Sequence, residues 1–96
     1  NWYYYSAFDL NKMDGWSKTC LKLYNDLEAH GYDQLPTGSN WNNNQNMEAT
    51  VDYCKQVIDP SRLMGFMTAP WKPTLEPCLD RHKEAISQIG RAIKKF

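Results

Sequence analysis

The chain has 96 residues, 42% of them hydrophobic and 23% charged, the mix of a globular domain and not of a disordered or fibrous chain. Its 11 Lys and Arg balance 11 Asp and Glu, so it carries no basic footprint for nucleic acid or an anionic membrane. No apolar run reaches the roughly 20 residues of a membrane-spanning helix.

The first segment, Trp2-Tyr3-Tyr4-Tyr5-Ser6-Ala7-Phe8, is dense in aromatic residues that favour strands, and it ends at Asp9. From Trp16 to His30 the residues Trp16, Cys20, Tyr24 and Leu27, supported by Leu23, recur at helical spacing. Asp14 is placed to cap this helix and Gly31 to stop it. A short, polar strand follows over Tyr32 to Ser39, with Pro36 suited to an edge or an end. The loop Asn40-Trp41-Asn42-Asn43-Asn44-Gln45-Asn46 leads into a helix with a buried stripe of Met47, Val51, Cys54 and Ile58, stopped by Pro60. Leu63 to Met67 has the length and character of a strand buried on both faces. After a loop from Thr68 to Glu76, Pro77 opens the last helix. There Leu79, His82, Ile86, Ile89, Ile93 and Phe96 form an apolar stripe opposite Asp80, Lys83, Gln88, Arg91 and Lys94.

Strand starts near Trp2, Tyr32 and Leu63 recur at about 30 residues, the length of a strand with its crossover helix, and Trp41 and Trp71 keep the same step. The pattern predicts an α/β fold of three consecutive β-α units with parallel strands. Three units are too few to close a barrel, and so short a chain is expected to be marginal unless it packs against more protein. The aromatic run directly behind Asn1 gives the expectation that an upstream segment has been removed.

Cys20, Cys54 and Cys78 form no CxxC or Cys/His cluster, so no metal is expected and each cysteine reads as a small buried hydrophobe. No Gly-rich phosphate loop follows any predicted strand, which leaves no expected cofactor. Gly38 and Gly65 read as points of close approach. His30 belongs to a helix end and His82 to an apolar helix face, and no nucleophile-elbow pattern surrounds a serine or cysteine.

In parallel α/β folds ligands bind at the carboxyl ends of the strands. Those ends present Asp9, Ser39, Asn40, Trp41, Asn42, Thr68 and Trp71. Indole faces cover sugar rings, and amides and hydroxyls direct hydrogen bonds to their hydroxyls, so the set suits a neutral, hydroxylated ligand. Packing of the two tryptophans over the sheet end, and a loop-capping role for Asp9, remain the alternatives. Hydrolysis of a glycosidic bond needs two carboxylates about 5 to 10 Å apart, and Asp9 alone is placed for it.

The aromatic strand, the Ser39-Asn40-Trp41 loop and the run Gly65-Phe66-Met67-Thr68-Ala69-Pro70-Trp71 together resemble the last three β-α units of TIM-barrel glycoside hydrolases, including secreted bacterial ones. The resemblance implies that residues 1–96 are one partial domain, the C-terminal part of a (β/α)8 barrel. Trp2 to Phe8, Asp33 to Gly38 and Leu63 to Met67 would then be its sixth, seventh and eighth strands, with Trp71 as an aromatic platform. It further implies a carbohydrate ligand, an extracellular or periplasmic location and catalytic carboxylates outside this chain. The partner would be the remainder of the barrel or another copy of the chain. Pro36 and the polar second strand depart from a core-strand pattern. The other readings are a non-catalytic carbohydrate- or protein-binding module, and a small domain that completes its sheet with a second copy.

Overall fold

Helical spacing is realised three times in the computed structural model, which describes residues 2–69 and 76–94. Helix α1 spans Gly15–Ala29, α2 Asn46–Val57 and α3 Leu79–Ile93, with short 3-10 turns at Leu10–Lys12 and Glu76–Cys78. Two strands of two residues each, β1 (Thr37–Gly38) and β2 (Met67–Thr68), pair in parallel.

The expectation of three consecutive β-α units is therefore corrected. The described residues are 55% helix and hold only the two short strands, and the barrel-fragment reading goes with the units. Three local causes are visible. The aromatic run makes a single bridge, Trp2 to Thr37. Its carbonyls at Tyr3 and Tyr5 are taken by the Asn46 side chain instead of a strand, and the Tyr3 hydroxyl donates to the carbonyl of Ala7 at 2.5 Å. Pro36 has no N–H to give. Finally, Gln34 pairs with Leu63 and Thr37 with Met67, three steps along one segment against four along the other. The extra residue is a bulge in the second segment, and Gly65 within it has φ +143°, a conformation that side chains rarely adopt.

The predicted stripe of α2 organises the interior. Met47, Val51, Cys54 and Ile58 are all buried, and the stripe serves two clusters in turn. Its C-terminal half joins Cys20, Leu21 and Tyr24 of α1 with Tyr3 and Leu63. Its N-terminal half packs Met47 and Val51 against Ala92 of α3, with Ile89 and Phe66 alongside. Each fully buried aliphatic side chain here contributes about 1.5–3 kcal/mol.

The other two helices bury faces rotated from those expected. In α1 the inward residues are Cys20, Leu21 and Tyr24, while Trp16 and Leu23 face solvent. In α3 they are Ala85, Gln88 and Ala92, because the two alanines let α3 approach α2 closely. Leu79, Ile86 and Ile93 stay exposed. Phe96 lies outside the described residues.

Arg62 clasps the Glu28 carboxylate through both Nε, at 3.0 Å, and Nη2, tying α1 to the turn before Leu63. Hydrogen bonds from Arg62 hold Glu28 below its ordinary range, and the Ser61 hydroxyl and backbone N–H do the same for Asp59. A carboxyl whose folded pKa lies below its unfolded value adds stability above that value and loses it as pH falls through the folded pKa. With unfolded values of about 4, urea midpoints should stay level from about pH 7 to 5 and fall below about pH 4. Glu28→Gln should flatten the fall; a fall of unchanged size would remove Glu28 as its source.

Candidate functional site

The loop between β1 and α2 is built from the backbone outward. Ser39, fully buried, receives the N–H of Trp41 on its hydroxyl at 2.9 Å and donates that hydroxyl to the carbonyl of Ala69. Its own N–H goes to Oδ1 of Asn46 at 3.0 Å. Asn40 is 1% exposed; its amide donates to the Arg81 carbonyl at 2.9 Å, and the Arg81 guanidinium donates back to the Asn40 carbonyl. The Ser39 hydroxyl and the Asn40 amide N–H groups, expected to meet a ligand, are thus spent inside the fold on fixing the loop. What that fixing presents to solvent is Trp41.

Trp41 is 49% exposed. The Tyr5 ring buttresses it edge-on, with centroids 6.4 Å apart and planes at 79°, and Tyr5 is itself edge-on to buried Tyr3 at 5.6 Å. Beside this aromatic column lies a cleft of about 290 Å³. The N-terminal segment lines it with Tyr3, Tyr5, Ser6 and Ala7. The start of α1 adds Met13, Asp14 and Ser17, and the loop adds Asn42.

Asp9 and Thr68 stand apart from it. Asp9 caps the first 3-10 turn, accepting the Asn11 N–H at 3.0 Å, and lies 3.9 Å from the Lys12 ammonium. Thr68 is half-buried in β2, paired with Gly38. Trp71 lies outside the described residues.

Of the described cleft residues the sequence points to Asn42 alone as ligand-facing; Tyr5 reads there as strand packing, Asp14 as a helix cap, and Ser6 and Ser17 carry no signal. Asp14 does occupy the N-cap position, but its side chain makes no capping hydrogen bond. Gly15 behind it has φ +65°, so the helix starts through a left-handed residue. The signal was available in the Asp-Gly pair, which marks a turn as readily as a cap.

The cleft offers one carboxylate among its described lining residues, an amide, two serine hydroxyls and aromatic surface. Those groups accept and donate hydrogen bonds to hydroxyls; they do not form the carboxylate pair of a glycosidase. Cys20 and Cys54 give no nucleophile either, while Cys78, expected buried, is half-buried. Burial pushes the Cys54 thiol up to about 12 and raises that of Cys20, so both stay protonated in the first core cluster. No three His, Cys, Asp or Glu side chains gather as a metal site among the described residues, and no helix among them is long and apolar enough to cross a membrane. Comparison with known proteins finds no matching family model, no matching curated protein and no matching solved structure.

Proposed function

We propose that the chain binds carbohydrate in the cleft beside Trp41, supplying substrate-side contacts for a carbohydrate-active protein and not the acid and base of hydrolysis. The observation that carries this reading is the column Tyr3, Tyr5, Trp41. Its Tyr3 and Tyr5 line the cleft together with Asn42, Asp14, Ser6 and Ser17, and Tyr5 buttresses the half-exposed indole of Trp41 on the cleft's flank. An indole fixed in this way loses little conformational freedom on stacking against a sugar ring. A carboxylate and an amide then read the ring hydroxyls, the carboxylate as acceptor and the amide as both donor and acceptor.

The single carboxylate also favours binding over turnover, so release of reducing ends from any oligosaccharide should stay at background. Titration of a panel of mono- and oligosaccharides, followed by tryptophan fluorescence, should give a saturable change for at least one sugar class. Trp41→Ala should weaken that binding about tenfold, equivalent to about 1.4 kcal/mol, and Asn42→Ala should weaken it less. Trp16→Ala removes an exposed indole outside the cleft and should leave the affinity unchanged. A panel with no response, or a response that both Trp41→Ala and Asn42→Ala leave intact, rules the reading out.

A further inference from the structure

Helix α3 turns three of its four large apolar residues, all but Ile89, away from the molecule. Leu79, Ile86 and Ile93 are 46%, 68% and 55% exposed and lie seven residues apart, two turns each, so they make one straight ridge about 21 Å long. Gly90 lies on the same side with open space above it, and Met67 of β2, the strand that α3 packs against, is also exposed. Isolated exposed leucines need no explanation, but a continuous ridge on one helix marks an interaction surface.

The charges along the ridge identify its partner. Its solvent flank carries Asp80 in the first turn, Lys83 in the second and Lys94 just past the end, all exposed. Set against an identical helix running antiparallel, with Ile86 on Ile86, Leu79 meets Ile93 of the other copy. Asp80 then comes beside Lys94, and Lys83 falls opposite Ser87 and Gly90, where no like charge opposes it and the missing side chain leaves room for the lysine stem. Turned parallel, Lys83, the flank residue nearest the ridge, would face Lys83 of the other copy, and Asp80 and Lys94 would lie on opposite outer sides of the pair with no opposite charge to meet. Only the antiparallel register is complementary in both charge and shape, and it closes on a two-fold axis so that no further copy can add.

We infer that the exposed face of α3 is a self-association surface, which joins two copies of this chain through antiparallel α3 helices. One helix face falls short of the roughly 800 Å² per partner of a standard interface, so the dimer should form with a dissociation constant on the order of 0.1 mM. The proposal does not depend on the carbohydrate cleft, which uses different residues.

Sedimentation equilibrium of the 96-residue chain between about 10 µM and 1 mM tests it. The mass should rise with concentration and level off at twice the monomer. Ile86→Glu, at a solvent-exposed position that leaves the far-UV spectrum unchanged, sets two carboxylates against each other on the axis and should hold the chain monomeric throughout. Asp80→Lys should weaken association at least fivefold, and the exchanged pair Asp80→Lys with Lys94→Asp should restore it. A chain monomeric to 1 mM overturns the inference, as does a mass that climbs past two, association that survives Ile86→Glu, or an exchanged pair that fails to restore it. Binding to vesicles of phosphatidylcholine with phosphatidylglycerol, lost in Ile86→Glu and unaccompanied by a dimer, would assign the ridge to a lipid surface and overturn it equally.

Discussion

Asn46→Ala is expected to lower the unfolding free energy by about 3–4 kcal/mol, the largest effect of any polar substitution in the molecule. The Asn46 side chain is fully buried and touches three separate segments. Its Nδ2 donates to the carbonyls of Tyr3 and Tyr5 at 3.0 and 2.7 Å, and its Oδ1 accepts the N–H of Ser39 at 3.0 Å. Truncation strands three backbone groups at once, and each buried group left without a partner costs about 1–3 kcal/mol. Against a total stability of about 5–15 kcal/mol, the urea midpoint should fall by about a fifth or more. Asn46→Asp makes the test specific. It keeps an acceptor for Ser39 but turns a second carboxylate oxygen toward two carbonyls, so at pH 7 it should do at least as much damage as alanine. Part of the loss should return near pH 4, where a protonated carboxyl again donates one hydrogen bond. Equal stability of Asn46→Asp at both values, relative to the parent at each, would contradict the network.

Gly38→Ala is expected to cost about 2–3 kcal/mol, and for a reason of space. Its φ is ordinary, but a Cβ there would sit 2.8 Å from the Met47 sulfur, 3.0 Å from Oδ1 of Asn46 and 3.3 Å from the Met47 Cα. The sulfur is the end of a flexible side chain and can move. The Cα cannot, so β1 and α2 must separate, and forcing one methyl group into a packed interior costs about 1–3 kcal/mol. Because the intruding methyl also meets the Asn46 oxygen, the double variant with Asn46→Ala should lose less than the sum of the two, since part of each loss is shared. Strict additivity in thermal or urea unfolding would show that the close approach does not exist.

Much of the helical content was legible in the sequence, because spacing by three and four reflects a geometry each helix carries within itself. The buried stripe of α2 followed, since nearly every apolar residue it has lies on one side. In α3 the same reasoning chose the wrong face. Ala85 and Ala92 are weak hydrophobes by area, yet they are what allows a second helix to come close, and periodicity shows where apolar residues cluster without showing where the neighbour stands. The aromatic run at Tyr3 to Tyr5 has genuine strand preference, but a strand exists only as a pairing. Here the partners for its carbonyls come from the amide of one asparagine 41 and 43 residues away in sequence. Ser39 and Asn40 were legible as polar groups at a strand end but not as structural ones, because a hydroxyl or an amide looks the same in sequence whether its partner is a sugar or a carbonyl. Trp41 and Asn42, from the same loop, are the two that reach solvent, Asn42 in the lining of the cleft and Trp41 against its Tyr5 wall.

The division of the α2 stripe has a consequence for how the molecule comes apart. Its apolar interior is in two pieces, and two such pieces could in principle melt independently. Yet Met47 and Val51 complete one cluster, and Cys54, on the same helix two turns beyond Met47, completes the other with Ile58 just past the helix end. Neither cluster keeps its wall once α2 unwinds, and α2 cannot fray from either end without opening a cluster to water. One twelve-residue helix therefore makes a divided interior behave as a single cooperative unit.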